Sequence, residues 1–234
     1  MQVSHLRFTN FGLRFTLFAC LLLVCACSST TPTPEGEPLR VQYTFAAQPW
    51  LTNLSDCAGN TAIKSELRSV GYLDLNNVNL DMRTGINYQP DLPTFQIGTE
   101  DILVVINPQN PAGKLTADQV HGLFSGQIRN WQEINHSNAP VQVWVFASGE
   151  DVQQIFDQTI LGDIPVTSLA RQASSSDEMA QAVAKDVNAI GILTRHWKAG
   201  NVTEAYSVAT VPVLAITPSK PQGALAELIA CLQK

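Results

Sequence analysis

Hydrophobic residues in this chain fall into short continuous runs and into stretches with helical spacing. Residues 102–106, 141–146 and 189–193 are apolar at nearly every position, as strands covered on both faces are. In other stretches, such as residues 222–232, apolar residues recur three and four positions apart, which is typical of one face of a helix.

These patterns predict an α/β chain. Strands are predicted at residues 39–46, 62–70, 80–84, 94–106, 141–146, 189–193 and 211–216, and helices at residues 49–58, 116–124, 149–160, 175–184 and 222–232. Strands that alternate with helices indicate α/β units joined by right-handed crossovers.

Polar residues mark the ends of several predicted helices. Thr116 is a suitable N-cap, and Ser175-Ser176-Asp177-Glu178 has the sequence of a capping box. Gly59-Asn60 follows the first helix, where these residue types commonly end helices. The helix boundaries are therefore predicted from two independent signals, apolar spacing and cap chemistry.

The first 26 residues have the sequence of a secretory signal peptide. Two arginines and no acid precede residues 15–26, an apolar segment too short to span a bilayer comfortably. It ends in Val24-Cys25-Ala26-Cys27, which resembles a bacterial lipoprotein box with Cys27 as the lipidated residue. Residues 17–20 also fit such a box, but the apolar run continues past them. A plainly cleaved signal or a short N-terminal anchor is the alternative.

The residues that follow Cys27 have the composition of a tether. Up to residue 38 they are Ser, Thr, Pro, Glu and Gly, with almost nothing apolar. We therefore expect a signal peptide at residues 1–26 and a flexible tether at residues 27–38. The globular domain would then be secreted across the cytoplasmic membrane and lipid-anchored, at the cell surface or in the periplasm.

Charge and motif content argue against several classes of function. The chain has 14 basic and 20 acidic residues, which argues against nucleic-acid binding because that depends on Lys and Arg at phosphates. His121, His136 and His196 have no metal-ligand spacing. The chain has neither a nucleotide-binding glycine loop nor a nucleophile elbow. We predict a protein that is not an enzyme and that uses no cofactor or metal.

One segment carries a specific order of motifs after its apolar strand at residues 102–106. The motifs are NPQNP at residues 107–111, LTADQ at 115–119, FSGQIRNW at 124–131, SG at 148–149, AVA at 182–184 and AIG at 189–191. This order resembles the phosphate-binding proteins of ABC importers, which have the type 2 periplasmic-binding fold. The resemblance implies a two-lobed α/β fold with a two-segment hinge and a ligand cleft between the lobes. Lobe one would be residues 39–105 plus 190–234, and lobe two residues 106–189.

The resemblance also implies where a ligand would bind. Loops after strands and helix starts with free N–H groups would face the cleft. Arg83 would supply a fixed charge that can grip an oxyanion bidentately. The alternative is that Arg83 forms a salt bridge with a surface acid and that no ligand binds. Two features depart from the family: the first loop lacks its Gly and Ser residues, and Glu150 stands where a hydroxyl is expected. The predicted ligand-binding residues are Thr44, Phe45, Arg83, Thr84, Ser148, Gly149, Ser175 and Ser176.

Two cysteines remain in the predicted mature domain besides Cys27. In the resembled fold the first and last helices both belong to lobe one, so a disulfide between Cys57 and Cys231 is expected in an oxidising compartment. Two buried thiols are the alternative.

The sequence therefore predicts a monomeric, lipid-anchored solute-binding protein. It would capture a small, phosphate-like oxyanion and deliver it to an ABC permease. The alternative is a lipoprotein without a transport role, which keeps the fold as a structural or sensor-partner module and has no working anion site.

Overall fold

The computed structural model describes residues 37–68, 74, 77–85, 91–134 and 136–234. The predicted signal peptide, Cys27 and most of the predicted tether lie outside these ranges. The chain divides into residues 1–34 and a compact unit of residues 35–234. Within the described ranges, every helix is too short or too polar to cross a bilayer.

Strands and helices alternate for much of the described chain, as predicted. The strands are β1 Leu39–Tyr43, β2 Ile63–Leu67, β3 Leu80–Thr84, β4 Thr94–Ile106, β5 Gln142–Val145, β6 Arg171–Gln172, β7 Ala189–Thr194 and β8 Thr203–Ile216. The helices are α1 Leu51–Ala58, α2 Ala117–Ser125, α3 Asp151–Phe156, α4 Ser176–Lys185 and α5 Gly223–Leu232.

In the described part of the chain, these strands form one mixed sheet in the order β2-β1-β3-β8-β4-β7-β5-β6. β1 runs parallel to both β2 and β3, and β5 runs parallel to β7. β8 is antiparallel to β3 and β4, and β4 is antiparallel to β7. The two long strands β4 and β8 thus connect the two parallel parts of the sheet.

Two hydrophobic clusters lie along this sheet. On β4, Ile97 belongs to the smaller cluster and Ile102 to the larger one. On β8, Val211 belongs to the larger cluster and Val213 to the smaller one. The predicted lobe boundaries near residues 106 and 189 stay predictions. The smaller cluster includes Val41, Leu54, Met82, Val213 and Leu228, and the larger one includes Phe124, Trp131, Phe156, Met179 and Ile190.

Two helices begin at the predicted caps. Thr116 and Gln119 form a reciprocal capping box at the start of α2. At α4 the Ser175 hydroxyl accepts a hydrogen bond from the Glu178 N–H at 3.1 Å. The Glu178 carboxylate accepts instead from Ser174, so the second half of a capping box does not form there. Each cap satisfies backbone N–H groups that have no partner inside the helix.

Helices α1 and α5 are joined by the expected disulfide between Cys57 and Cys231, whose Cα atoms lie 5.7 Å apart. The bridge closes a loop across a sequence separation of 174 residues. In the chain-entropy model such a bridge stabilises the fold by about 5 kcal/mol.

Several element boundaries differ from those predicted. β1 ends at Tyr43, so Thr44 and Phe45 lie in a loop. β8 begins at Thr203, before the predicted start at residue 211, because the prediction followed the continuous apolar run, and polar residues interrupt the first half of the strand. The two-residue strand β6 was not predicted, and α3 ends at Phe156, where a π-helical turn continues the chain.

Candidate functional site

Three segment ends meet at the Asp151 side chain. Thr44 follows β1, Thr84 is the last residue of β3, and Asp151 is the first residue of α3. Both threonine hydroxyls donate to Asp151 Oδ2 at 2.7 Å. The Thr84 N–H donates to the same oxygen at 3.0 Å. Two segments that the sequence predicts to face a ligand therefore converge on a carboxylate of the chain itself.

The second oxygen of Asp151 is also hydrogen-bonded. Oδ1 accepts from the Val152 N–H at 2.9 Å, at the start of the same helix. Hydrogen bonds to a carboxylate are stronger than those between neutral groups. The residues that donate to Asp151, and Asp151 itself, are all buried. Hydroxyl and N–H donors of this kind can hold an oxygen of a free oxyanion, and here they hold Asp151.

Glu150, the neighbouring residue, lies in a different environment. It is 5% exposed, and no described residue hydrogen-bonds its Oε2 atom. The side chain makes no N-cap hydrogen bond to α3. Burial, and then the charge of Asp151, raise the pKa of Glu150 to about 7.

A cleft of about 510 Å³ lies beside Glu150. Phe45, from the loop after β1, lines one part of it, and the segment from β6 to α4 lines another. The Trp197 indole N–H donates to the Phe45 carbonyl at 3.2 Å and so helps to position this loop. The lining residues are Phe45, Ala147, Glu150, Gln172, Ala173, Ser174 and Glu178.

Glu178 is the second acid of the cleft. Its Oε2 atom accepts hydrogen bonds from the hydroxyl and the N–H of Ser174, at 2.6 and 2.7 Å. These bonds lower the pKa of Glu178 below its ordinary value, because they stabilise the ionised form. No basic side chain is among the described residues that line the cleft.

Arg83 pairs with an acid of its own strand. Its guanidinium Nε donates to Asp81 Oδ2 at 2.5 Å, and the two side chains are 9% and 1% exposed. Burial raises the pKa of Asp81 although the ion pair with Arg83 opposes this shift. Arg83 is not among the described residues that line the cleft.

The remaining predicted ligand residues lie at two helix starts. Ser148 is exposed, and the Gly149 carbonyl accepts a hydrogen bond from Gln154 at 3.3 Å. Ser175 caps α4, and Ser176 is buried in its first turn. None of these four is among the described lining residues of the cleft, and their ligand roles stay predictions.

The sequence prediction did not include four residues that the structure brings to this region. Asp151 is adjacent to Glu150, so a second acid at this helix start was visible in the sequence. Gln172, Ser174 and Glu178 carried no comparable signal, because they face the cleft only through the path of the chain from β6 to α4. In the described ranges, no group of three potential ligands could hold a metal ion.

Comparisons with known proteins agree on the fold. A family model described as "PBP superfamily domain" matches residues 83–233. An ABC-type phosphate transport receptor from Vibrio cholerae is 16% identical with a TM-score of 0.66, covering 84% of this chain and 93% of that chain. A structure with bound phosphate, assigned as a phosphate ABC transporter substrate-binding protein from Clostridium perfringens, is 15% identical with a TM-score of 0.72, covering 83% and 92%.

Transport receptors are not the only structures with this fold. A mutant of the OxyR2 regulatory domain from Vibrio vulnificus is 11% identical with a TM-score of 0.60, covering 85% of this chain and 95% of that chain. At these identities each likeness shows the fold alone, which is the two-lobed type 2 periplasmic-binding-protein fold predicted from the sequence. The function has to be argued from the site.

Proposed function

We propose that this chain, which belongs to the PBP superfamily, is an extracytoplasmic solute-binding protein that presents a small solute to an ABC importer. The observation that carries this proposal is the cleft of about 510 Å³, lined by Phe45 and by residues before α3 and α4. Its volume lies within the range of small-molecule sites, about 300–1,000 Å³. The signal sequence and Cys27 support an anchor in the membrane beside the importer.

The chemistry of the site supports a solute without net negative charge. Asp151 already accepts the hydrogen bonds of Thr44 and Thr84. Glu178 and, when ionised, Glu150 would repel an anion in the cleft. Phosphate, the solute suggested by the sequence resemblance, is therefore not the solute that we propose.

The alternative function is a structural or sensor-partner module without transport. One observation favours it: the Asp151 carboxylate holds the ends of β1 and β3 against α3 and needs no solute to do so. The fold is compatible with this alternative, since it also occurs in an OxyR2 regulatory domain.

Native mass spectrometry of the protein purified from its own host, without refolding, tests the proposal. We expect one noncovalent small-molecule adduct per chain. Ala147→Trp places a large side chain at the cleft and should remove the adduct, while Ala224→Trp changes an alanine of α5 that is also exposed and should keep it.

Two outcomes would contradict solute binding. One is that the wild-type protein from its host has no adduct and that neither charged nor neutral small solutes raise its melting temperature. The other is an adduct that survives Ala147→Trp unchanged. The same adduct mass tests the oxyanion prediction, since phosphate would be identified directly.

A further inference from the structure

We propose that the cleft binds a small organic cation, with an ammonium or guanidinium group paired to the Glu150 carboxylate. This inference rests on the proposed solute-binding function, and it specifies the chemical class of the solute. It is carried by the Glu150 Oε2 atom, which accepts no hydrogen bond from the described residues, by the charge of the cleft and by its apolar surface.

Glu150 has an unfilled hydrogen-bonding position. The residue is 5% exposed and lines the cleft, yet no described residue donates a hydrogen bond to Oε2. A buried polar atom without a partner costs free energy that a ligand donor can recover. The adjacent Asp151 does not share this property, because donors from Thr44, Thr84 and Val152 occupy both of its oxygens.

The charge of the cleft selects for a cation. Glu178 lines the same cleft, and the hydrogen bonds from Ser174 hold its pKa below the ordinary value, so it is ionised at neutral pH. The described lining residues contribute no Lys, Arg or His. A positively charged group would reduce the electrostatic cost of ionising Glu150, whereas an anion would increase it.

The apolar part of the lining indicates an organic cation. Phe45, Ala147 and Ala173 supply apolar surface beside the two acids. An aromatic ring can also attract an ammonium or guanidinium group through its electron-rich face. A metal ion prefers several oxygen ligands at once, and the described residues hold no such group. A cationic head with a short alkyl part matches both kinds of surface.

Isothermal titration calorimetry of the full-length chain at pH 8, where Glu150 is mostly ionised, tests the inference. The probes are propylammonium, agmatine, neutral 1-propanol and inorganic phosphate. We expect at least one of the two cations to bind at least tenfold more tightly than 1-propanol, and phosphate not to bind. Glu150→Gln, which keeps the size of the side chain, should weaken cation binding at least tenfold. Glu227→Gln, an exposed acid of α5, should leave it within about twofold.

Three results would overturn the cation proposal. They are affinities of propylammonium and agmatine that both fail to exceed that of 1-propanol, unchanged cation binding by Glu150→Gln, and displacement of the cation by Ca²⁺ at equimolar concentration. An adduct from the host that is neutral or anionic would also overturn it while leaving the solute-binding function standing. Absence of both an adduct and any cation binding would contradict both proposals.

Discussion

Glu150 and Asp151 are neighbours in the sequence, and both are buried, but their carboxyl groups differ in hydrogen bonding. Asp151 accepts four hydrogen bonds, while Oε2 of Glu150 accepts none from the described residues. Hydrogen-bond partners rather than residue type therefore distinguish the two neighbouring acids.

We predict that Glu150 makes the folded state less stable as the pH rises from about 4.5 to about 7. In this window the unfolded chain has released the Glu150 proton while the folded chain still holds it, so raising the pH favours unfolding. Between pH 5 and pH 8 this contribution amounts to about 2–3 kcal/mol. Urea denaturation at both pH values should show a smaller stability loss for Glu150→Gln, by that amount.

Glu227→Gln is the matched control for this measurement, since it neutralises an exposed acid. Burial also raises the pKa of Asp81 and Asp157, so the wild-type protein and both variants share their contributions. An identical pH dependence in Glu150→Gln and the wild-type protein would show that Glu150 titrates normally in the folded state.

At the scale of elements, Asp151 joins three segments that are distant in the sequence. It lies 107 residues from Thr44 and 67 residues from Thr84, and its carboxylate holds the ends of β1 and β3 against the start of α3. This contact gives the hydroxyls of both threonines an acceptor within the chain itself.

We predict that Asp151→Ala destabilises the fold and exposes an anion-binding position. Loss of the carboxylate leaves the buried donors of Thr44 and Thr84 unsatisfied. The free energy of unfolding should therefore fall by about 1–3 kcal/mol or more. Sulfate or phosphate should recover part of this loss by accepting the same hydrogen bonds. Thermal and urea denaturation with and without sulfate measure both effects.

Asp177→Ala is the control for Asp151→Ala, because Asp177 is an exposed acid in the first turn of α4. It should cost only the interaction with the helix dipole, about 0.3–1 kcal/mol. Equal destabilisation of the two variants, or a sulfate effect of equal size in both, would contradict the role assigned to Asp151.

At the scale of the whole molecule, β4 and β8 run through both hydrophobic clusters. The smaller cluster is reinforced by the Cys57–Cys231 bridge between α1 and α5. A lipid anchor would keep the cleft near the proposed importer, so anchoring is part of the proposed function.

We predict that Cys27→Ser releases the protein from membranes or blocks its processing, because a serine hydroxyl cannot take the place of the thiol in lipid attachment. Membrane fractionation and intact mass of the protein from its host measure this. Cys25→Ser, two residues earlier and within the predicted signal peptide, should keep the lipid. Unchanged size and membrane association in Cys27→Ser would exclude lipidation at this residue.

The parts of the fold that depend on local chemistry could be predicted from the sequence. Continuous apolar runs predicted β4 and β7, because a strand covered on both faces needs no polar residues. Thr116 and Ser175 predicted helix starts, because their hydroxyls reach N–H groups only three residues away. The motif order also led to the correct fold and, through it, to the disulfide.

Which polar groups meet in the site depends on the packing of distant elements and could not be predicted from the sequence. Arg83, predicted from the sequence to hold the ligand, pairs with Asp81 on the same strand. Asp151 meets Thr44 and Thr84 because β1 and β3 lie side by side and α3 starts at their ends. Apolar spacing reports which side chains are buried, but it cannot report which distant segment supplies a hydrogen-bond partner, because that depends on how the elements pack.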